Sequence, residues 1–381
     1  MSPRLLLHEL RKLWSLPMLP IFLLLSLVFN TVLCAASLDT SGYLPYIRHI
    51  TATVAGQMGP DFDQALARSA DAPGKVRLTK ETAGRTDSLE ALDAASLGEL
   101  YISRCQISGP AAQRLRDKYD QLAASVQLLA QQDASLSLAA AELTKPLLHA
   151  LFYRLGRAVL TESLLLAVMI ALYLTGFERL HRTEPLVYTS RRGRRIQLDK
   201  LGAGGLSVIV CALLLAALST LAFAYFWRLG PIWQASMASQ FNYTTSFGLR
   251  LPFIPWRPLS IAGYLAATWL LTLVVSLAFY LLSFAAGVAL ADAYQGFLLV
   301  LLTLALCMGL LIYSGNAADW NLFQLTSWLA LALWWYQPIW FTDMGLSATL
   351  PWQECWSTLA NVLLGLALTA LSYRYFLRKD V

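Results

Sequence analysis

The chain has 381 residues, of which 57% are hydrophobic and only 14% charged, and its mean hydropathy is +0.53. That composition excludes an ordinary soluble fold and belongs to polytopic membrane proteins. The net charge of +6 does not argue for nucleic acid, because the basic residues gather at the ends of apolar segments, where anionic lipid and topology account for them.

Residues 2–15 carry Leu6, Leu10 and Leu13 on one helical face with Trp14 beside them, and Arg4, His8, Arg11 and Lys12 on the other. This pattern predicts a helix lying in the membrane interface; a plain basic flank is the alternative. Residues 16–38 form the first span, with Pro17 and Pro20 near its start, where proline costs a helix least. The apolar run is longer than a signal-peptide core and follows a long charged preface, so it is expected to be retained.

From Asp39 to Arg154 acids and bases mix evenly and no window is long and apolar enough to span, which predicts an extracytoplasmic domain over residues 39–154. Its pattern is helical: Ile47, Ile50, Val54, Met58, Phe62 and Leu66 step by three or four, as do Leu89 with Leu92 and Leu97 with Leu100. A longer stripe runs through Leu115, Tyr119, Leu122, Val126 and Leu129 to Leu136, Leu143 and Leu147. One domain must bury several such stripes, which favours a helical hairpin or bundle over a coiled-coil homodimer. Pro73, Gly74 and Gly84 mark a loop at 71–85.

The transmembrane domain then occupies residues 155–381. The second span is 156–176 and the third 201–227. Between them lies the most basic stretch of the chain, residues 177–200, with Arg191, Arg192, Arg194 and Arg195 around Gly193. Spans on both sides pin such a loop to the cytoplasm. Gly202, Gly204 and Gly205 permit close helix contact at the start of the third span. The proline- and aromatic-rich connection 228–258 suits the outer interface, and spans four and five are 259–286 and 295–313. Residues 315–354 contain no Lys or Arg, so the whole segment is placed outside, with the Trp-rich stretch 322–340 as a re-entrant or interfacial element rather than a span. The last span, 356–376, completes an all-α protein of six transmembrane helices with both termini in the cytoplasm. If 322–340 also spanned, there would be seven.

The chain shows no nucleotide-binding loop, no HExxH and no GxSxG, and its four histidines and five cysteines form no ligand spacing. Catalytic, metal and cofactor sites are therefore not expected in this polypeptide. Glu162 lies inside the second span near Arg154 and Arg157, either reaching interfacial water or serving as a substrate or gating contact. With hardly an ion-coupling residue in the spans and no nucleotide site, a pump built on this chain needs energy from a partner.

The order of parts resembles the permease subunits of ATP-binding cassette transporters of the ABC-2 (type V exporter) class. The matching pieces are Glu9, Arg11, Lys12 and Trp14 in the N-terminal helix, Phe177-Glu178 ending span two, and the run from Leu186 through Thr189, Ser190, Arg194, Arg195 and Ile196 to Lys200. Residues 258–265 entering span four also look like the family. Two departures are Thr183-Glu184 in place of the usual Gly-Thr and the absence of proline after Ser190. The resemblance implies a second permease, identical or not, and two cytoplasmic ATPase subunits that bind ATP and magnesium. It implies a bacterial inner or plasma membrane, an amphipathic, lipid- or peptide-like substrate, and coupling to ATP hydrolysis through Glu178, Glu184, Leu186, Arg191, Arg194, Arg195 and Lys200. A plain topology anchor is the other role open to the arginines. Two further classes stand beside the exporter: a membrane enzyme acting on lipid or cell-wall precursors, for which no catalytic constellation is present, and a membrane-anchored sensory or scaffold protein whose outer helical domain binds a ligand or partner.

Overall fold

A computed structural model describes residues 3–38, 92–131, 149–189, 193–228, 236–246, 249–290 and 292–378, together with positions 64, 67, 68, 75, 89, 233 and 234. The stripe from Ile47 to Leu66, most of the loop at 71–85, Leu136, Leu143, Leu147, and Ser190 to Arg192 lie outside the described residues.

The chain opens with α1, Pro3–Trp14, and turns through Pro17 into α2, Met18–Ala36. Proline at this position sacrifices no intrahelical hydrogen bond. Two helices of the polar region follow, α3, Ala94–Arg104, capped by the Asp93 carboxylate on the Ala95 amide, and α4, Gly109–Gln131. The next helix, α5, starts as a π-helical stretch, His149–Leu155, and continues as Gly156–Leu180. Short α6, Glu184–Tyr188, and a 3-10 turn, Gly193–Arg195, lead into α7, Ile196–Trp227. An antiparallel pair, β1, Ser239–Ser246, and β2, Leu249–Phe253, occupies the connection to α8, Ile261–Leu290. Then come α9, Ala293–Asn316, short α10, Trp320–Thr326, short α11, Ala330–Trp335, and the final helix α12, Gln353–Arg378.

Six of these helices, α2, α5, α7, α8, α9 and α12, are long and apolar enough to cross a membrane. Residues 322–340 do not form a seventh: Asp319 caps α10, and α10 and α11 are seven and six residues long, too short to cross. The spanning helices run past the expected limits at both ends of the polar loops. α5 begins at His149, so the expected division at residue 154 falls inside a continuous helix. α7 begins at Ile196, so Asp199 and Lys200 belong to its first turns rather than to a loop. The connection at 228–258 contains strands where only an irregular segment was expected.

α8 is the hub, packed on α5, α7 and α12, while α2 lies on α7 and α5. Only 11% of the apolar window of α9 is buried, against 61% for α8; its outward face carries Phe297, Leu302, Leu306 and Tyr313. Apolar side chains on the outside of a bundle are what a hydrocarbon solvent selects. Close approach in the centre depends on Gly204 of α7, where a Cβ would collide with the Tyr280 ring of α8. The Tyr280 hydroxyl donates to the carbonyls of Lys200 and Leu201 at 3.2 and 3.0 Å.

A second core joins α3 and α4 to the segment between α9 and α12. Leu115, Tyr119, Leu122, Val126 and Leu129, the stripe read from the sequence, are buried against Tyr101, Ile254, Phe323 and Leu346. The apolar face is thus covered within the chain.

Candidate functional site

At the end of the bundle that carries α1, four charged side chains from three helices converge. Glu9 and Lys12 lie one turn apart on α1, their Oε1 and Nζ 2.7 Å from each other. Lys12 also reaches Glu178 Oε1 of α5 at 3.5 Å and sits over the Phe177 ring, 4.9 Å from its centroid. Glu178 Oε2 is ion-paired with Lys200 Nζ of α7, which in addition donates to the Leu174 carbonyl at 2.5 Å. Glu9 and Glu178 are 1% exposed and Lys200 is fully buried. Two acids and two bases balance, which is the condition under which buried charge is tolerated.

All four residues were candidates in the sequence, but in two separate groups. α1 differs from a simple amphipathic helix in the interface: Glu9 and Leu13 face the bundle, while Leu7, Arg11 and Trp14 face away. A helix that presents charge inward does so because partners of opposite sign wait on α5 and α7.

Beyond the cluster, residues 181–189, which include α6, and the 3-10 turn Gly193–Arg195 fall between α5 and α7 in the chain. Tyr188 anchors α6, its ring 5.4 Å from that of Phe376 on α12. Burial, and then the charges of Glu184 and Glu178, push its hydroxyl up to about 12, so it stays protonated. On the other side of α6, Leu186 is 77% exposed. Glu184 is half-buried, and Arg195 is exposed. Arg194 is not free: its guanidinium donates to the carbonyls of Phe376 and Leu377 at 3.0 and 2.8 Å. It thereby satisfies carbonyls that the last turn of α12 leaves unpaired. Arg191 lies outside the described residues.

Glu162 is buried rather than reaching interfacial water. It forms no ion pair with Arg157 or Arg154; Arg157 turns to the Trp335 carbonyl at 2.7 Å and the Trp334 ring. Five residues along a helix rotate a side chain by roughly 140°, which separates the two faces. Glu162 is instead 9% exposed and accepts a hydrogen bond from Asn30 Nδ2 of α2 at 2.8 Å, and the same nitrogen donates to Ser219 Oγ of α7 at 3.0 Å. Asn30, the one carboxamide in α2, is a polar side chain in a spanning helix and could have been flagged on that ground.

At the opposite end of the bundle, Lys118 of α4 is fully buried. Its Nζ donates to the carbonyls of Asp343, at 3.0 Å, and Gly345, and the neighbouring Tyr119 hydroxyl donates to Asp343 Oδ2 at 2.8 Å. Burial pulls the Lys118 ammonium down to about 8, against the opposing charge of Asp343. The signal was present in the spacing, since Lys118 stands three residues after Leu115 and four before Leu122 on the inward face.

Between α8, α9 and α12 lies a cavity of about 440 Å3. Phe279, Leu282, Leu304 and Leu364 line it, with Ser283, Thr303, Asn361 and Ser372 as polar points. Among the described residues no group of three or more His, Cys, Asp or Glu could hold a metal ion.

No protein-family model, curated protein or solved structure matches this chain.

Proposed function

We propose that the chain is the permease subunit of an ATP-binding cassette transporter of the ABC-2 type, exporting an amphipathic, lipid- or peptide-like substrate with ATP hydrolysed by a separate cytoplasmic ATPase. The observation that carries this is the cluster of Glu9, Lys12, Glu178 and Lys200, which ties α1 to the ends of α5 and α7, together with the exposed Leu186 on α6, the short helix that follows α5. A force applied to α6 by a soluble subunit would be delivered to two spanning helices and to α1 together, because charge pairs held out of water resist separation. Leu186 would enter a groove on the ATPase, and Arg195 and Glu184 would flank it. The mainly apolar cavity with few polar points suits an amphipathic substrate. A second permease, identical or not, would complete the transporter.

Co-purification tests this. The tagged chain, extracted in mild detergent from its own cells, is expected to carry an ATP-binding subunit, and Leu186→Asp is expected to lose that subunit while the chain elutes and melts as the wild type does. A chain that purifies without any ATPase, under conditions that keep it folded, would overturn the proposal and favour the sensory or scaffold alternative.

A further inference from the structure

The geometry points to a membrane-embedded proton-binding site made of Glu162, Asn30 and Ser219, independent of where the chain obtains its energy. Three spanning helices contribute one polar side chain each, and they meet at a single point. The surrounding level of the bundle is apolar: Phe29, Val32, Leu165 and Leu221, within a turn of the three residues, are all more than half exposed on the outer face. Glu162 therefore sits inside the apolar layer and not at its rim.

What neutralises its charge there? Among the described residues no cation lies within ion-pair distance of it. On α2, α5, α7 and α8, Glu178, Arg179, Asp199 and Lys200 lie toward the end of the bundle that carries α1, His149 stacks on Tyr153, Arg154 is exposed, and Arg157 is engaged by Trp335 and Trp334. Cys34, Cys211 and the tyrosines of these helices are neutral acids in their ordinary state. One amide donor does not offset the removal of a carboxylate from water. A proton does so completely.

Asn30 makes the site reversible. Its buried Oδ1 has no partner among the described residues, while its Nδ2 serves both neighbours. With Glu162 ionised, the amide nitrogen donates to the carboxylate and to Ser219. With Glu162 protonated, a half-turn of the carboxamide puts the oxygen at the same two contacts, where it accepts from the Glu162 hydroxyl and the Ser219 hydroxyl. The carboxamide can thus meet Glu162 and Ser219 in either state, with its other end unpaired in each. The step is a simple transfer: a proton joins a carboxylate oxygen on entry and leaves it on exit, with no other bond made or broken.

Infrared difference spectroscopy of the full chain in lipid nanodiscs, stepped between acid and alkaline pH, tests the site without any transport assay. A carbonyl stretch of a protonated carboxylic acid is expected in the wild type, absent from Glu162→Gln and displaced in Asn30→Ala. If Glu162→Gln does not yield folded protein, the displacement in Asn30→Ala and in Ser219→Ala decides alone. No such band, or a band unmoved by these substitutions, would overturn the proposal; in the second case the proton resides on another buried acid, such as Glu354 of α12. Loss of the band on adding sodium at fixed pH would overturn it in favour of a metal-cation site. Failure of the ATPase co-purification leaves these outcomes untouched.

Discussion

Glu178 of α5 and Lys200 of α7 form an ion pair that is shielded from solvent, with 1% and 0% of the two residues exposed, at the end of the bundle where α1 docks. Lys12 of α1 shares the same carboxylate, so three helices are tied at one point.

Removing one member of this pair leaves a buried charge without its counterpart. Lys200→Met is expected to destabilise the protein by about 3–5 kcal/mol, and Glu178→Leu combined with Lys200→Met to recover most of that loss, since a buried pair replaced by apolar residues is often neutral. Thermal unfolding in detergent of the single and double variants checks this. Equal loss in the single and double variants would show that the pair is not the relevant contact.

Lys118 supplies a pH dependence. Its folded value, about 8, lies below the ordinary 10.5, so between these limits the unfolded state binds more protons and stability rises with pH, by up to about 1.4 kcal/mol per pH unit. Below pH 8 the group is protonated in both states and its contribution is flat. Tyr119 is raised well above 10 by burial and then by Asp343; its stabilisation is fully present below its unfolded value and is lost as the pH climbs above it, which bounds the useful window at about pH 8–10. Hydrogen exchange in α4 should therefore slow from pH 8 to 10 after correction for intrinsic rates, and Lys118→Met should abolish that trend.

Gly204 of α7 packs directly against the Tyr280 ring of α8. Gly204→Val is expected to cost about 1–3 kcal/mol through overpacking, with partial recovery when combined with Tyr280→Leu. A Gly204→Val protein as stable as the wild type would mean that the helices can separate without penalty.

Arg194 and Arg195 are adjacent but should behave differently. Arg194→Ala removes the donor to the last carbonyls of α12 and is expected to lower stability by roughly 0.3–1 kcal/mol. Arg195→Ala touches an exposed side chain and is expected to leave stability unchanged while lowering ATP-dependent transport in the reconstituted complex. Unchanged transport in Arg195→Ala would reduce that arginine to a topology anchor.

Apolar runs and their charged ends determined six helices long and apolar enough to span and the inward stripe of α4 from Leu115 to Leu129, because length, hydropathy and helical period are local properties of the chain, whereas only the structure, with its short α10 and α11, decided that 322–340 is not a seventh. Helix limits were less legible: α5 and α7 absorb Glu178, Asp199 and Lys200 at their ends, since a polar residue stays helical where tertiary partners satisfy it. Pairing was decided only by the packed bundle. Nothing in the spacing joins Glu9 to Lys200 or Asn30 to Glu162, which lie 132 residues apart. A buried polar side chain in a membrane bundle depends for its stability on a neighbour from another helix, and which neighbour that is follows from how the helices pack.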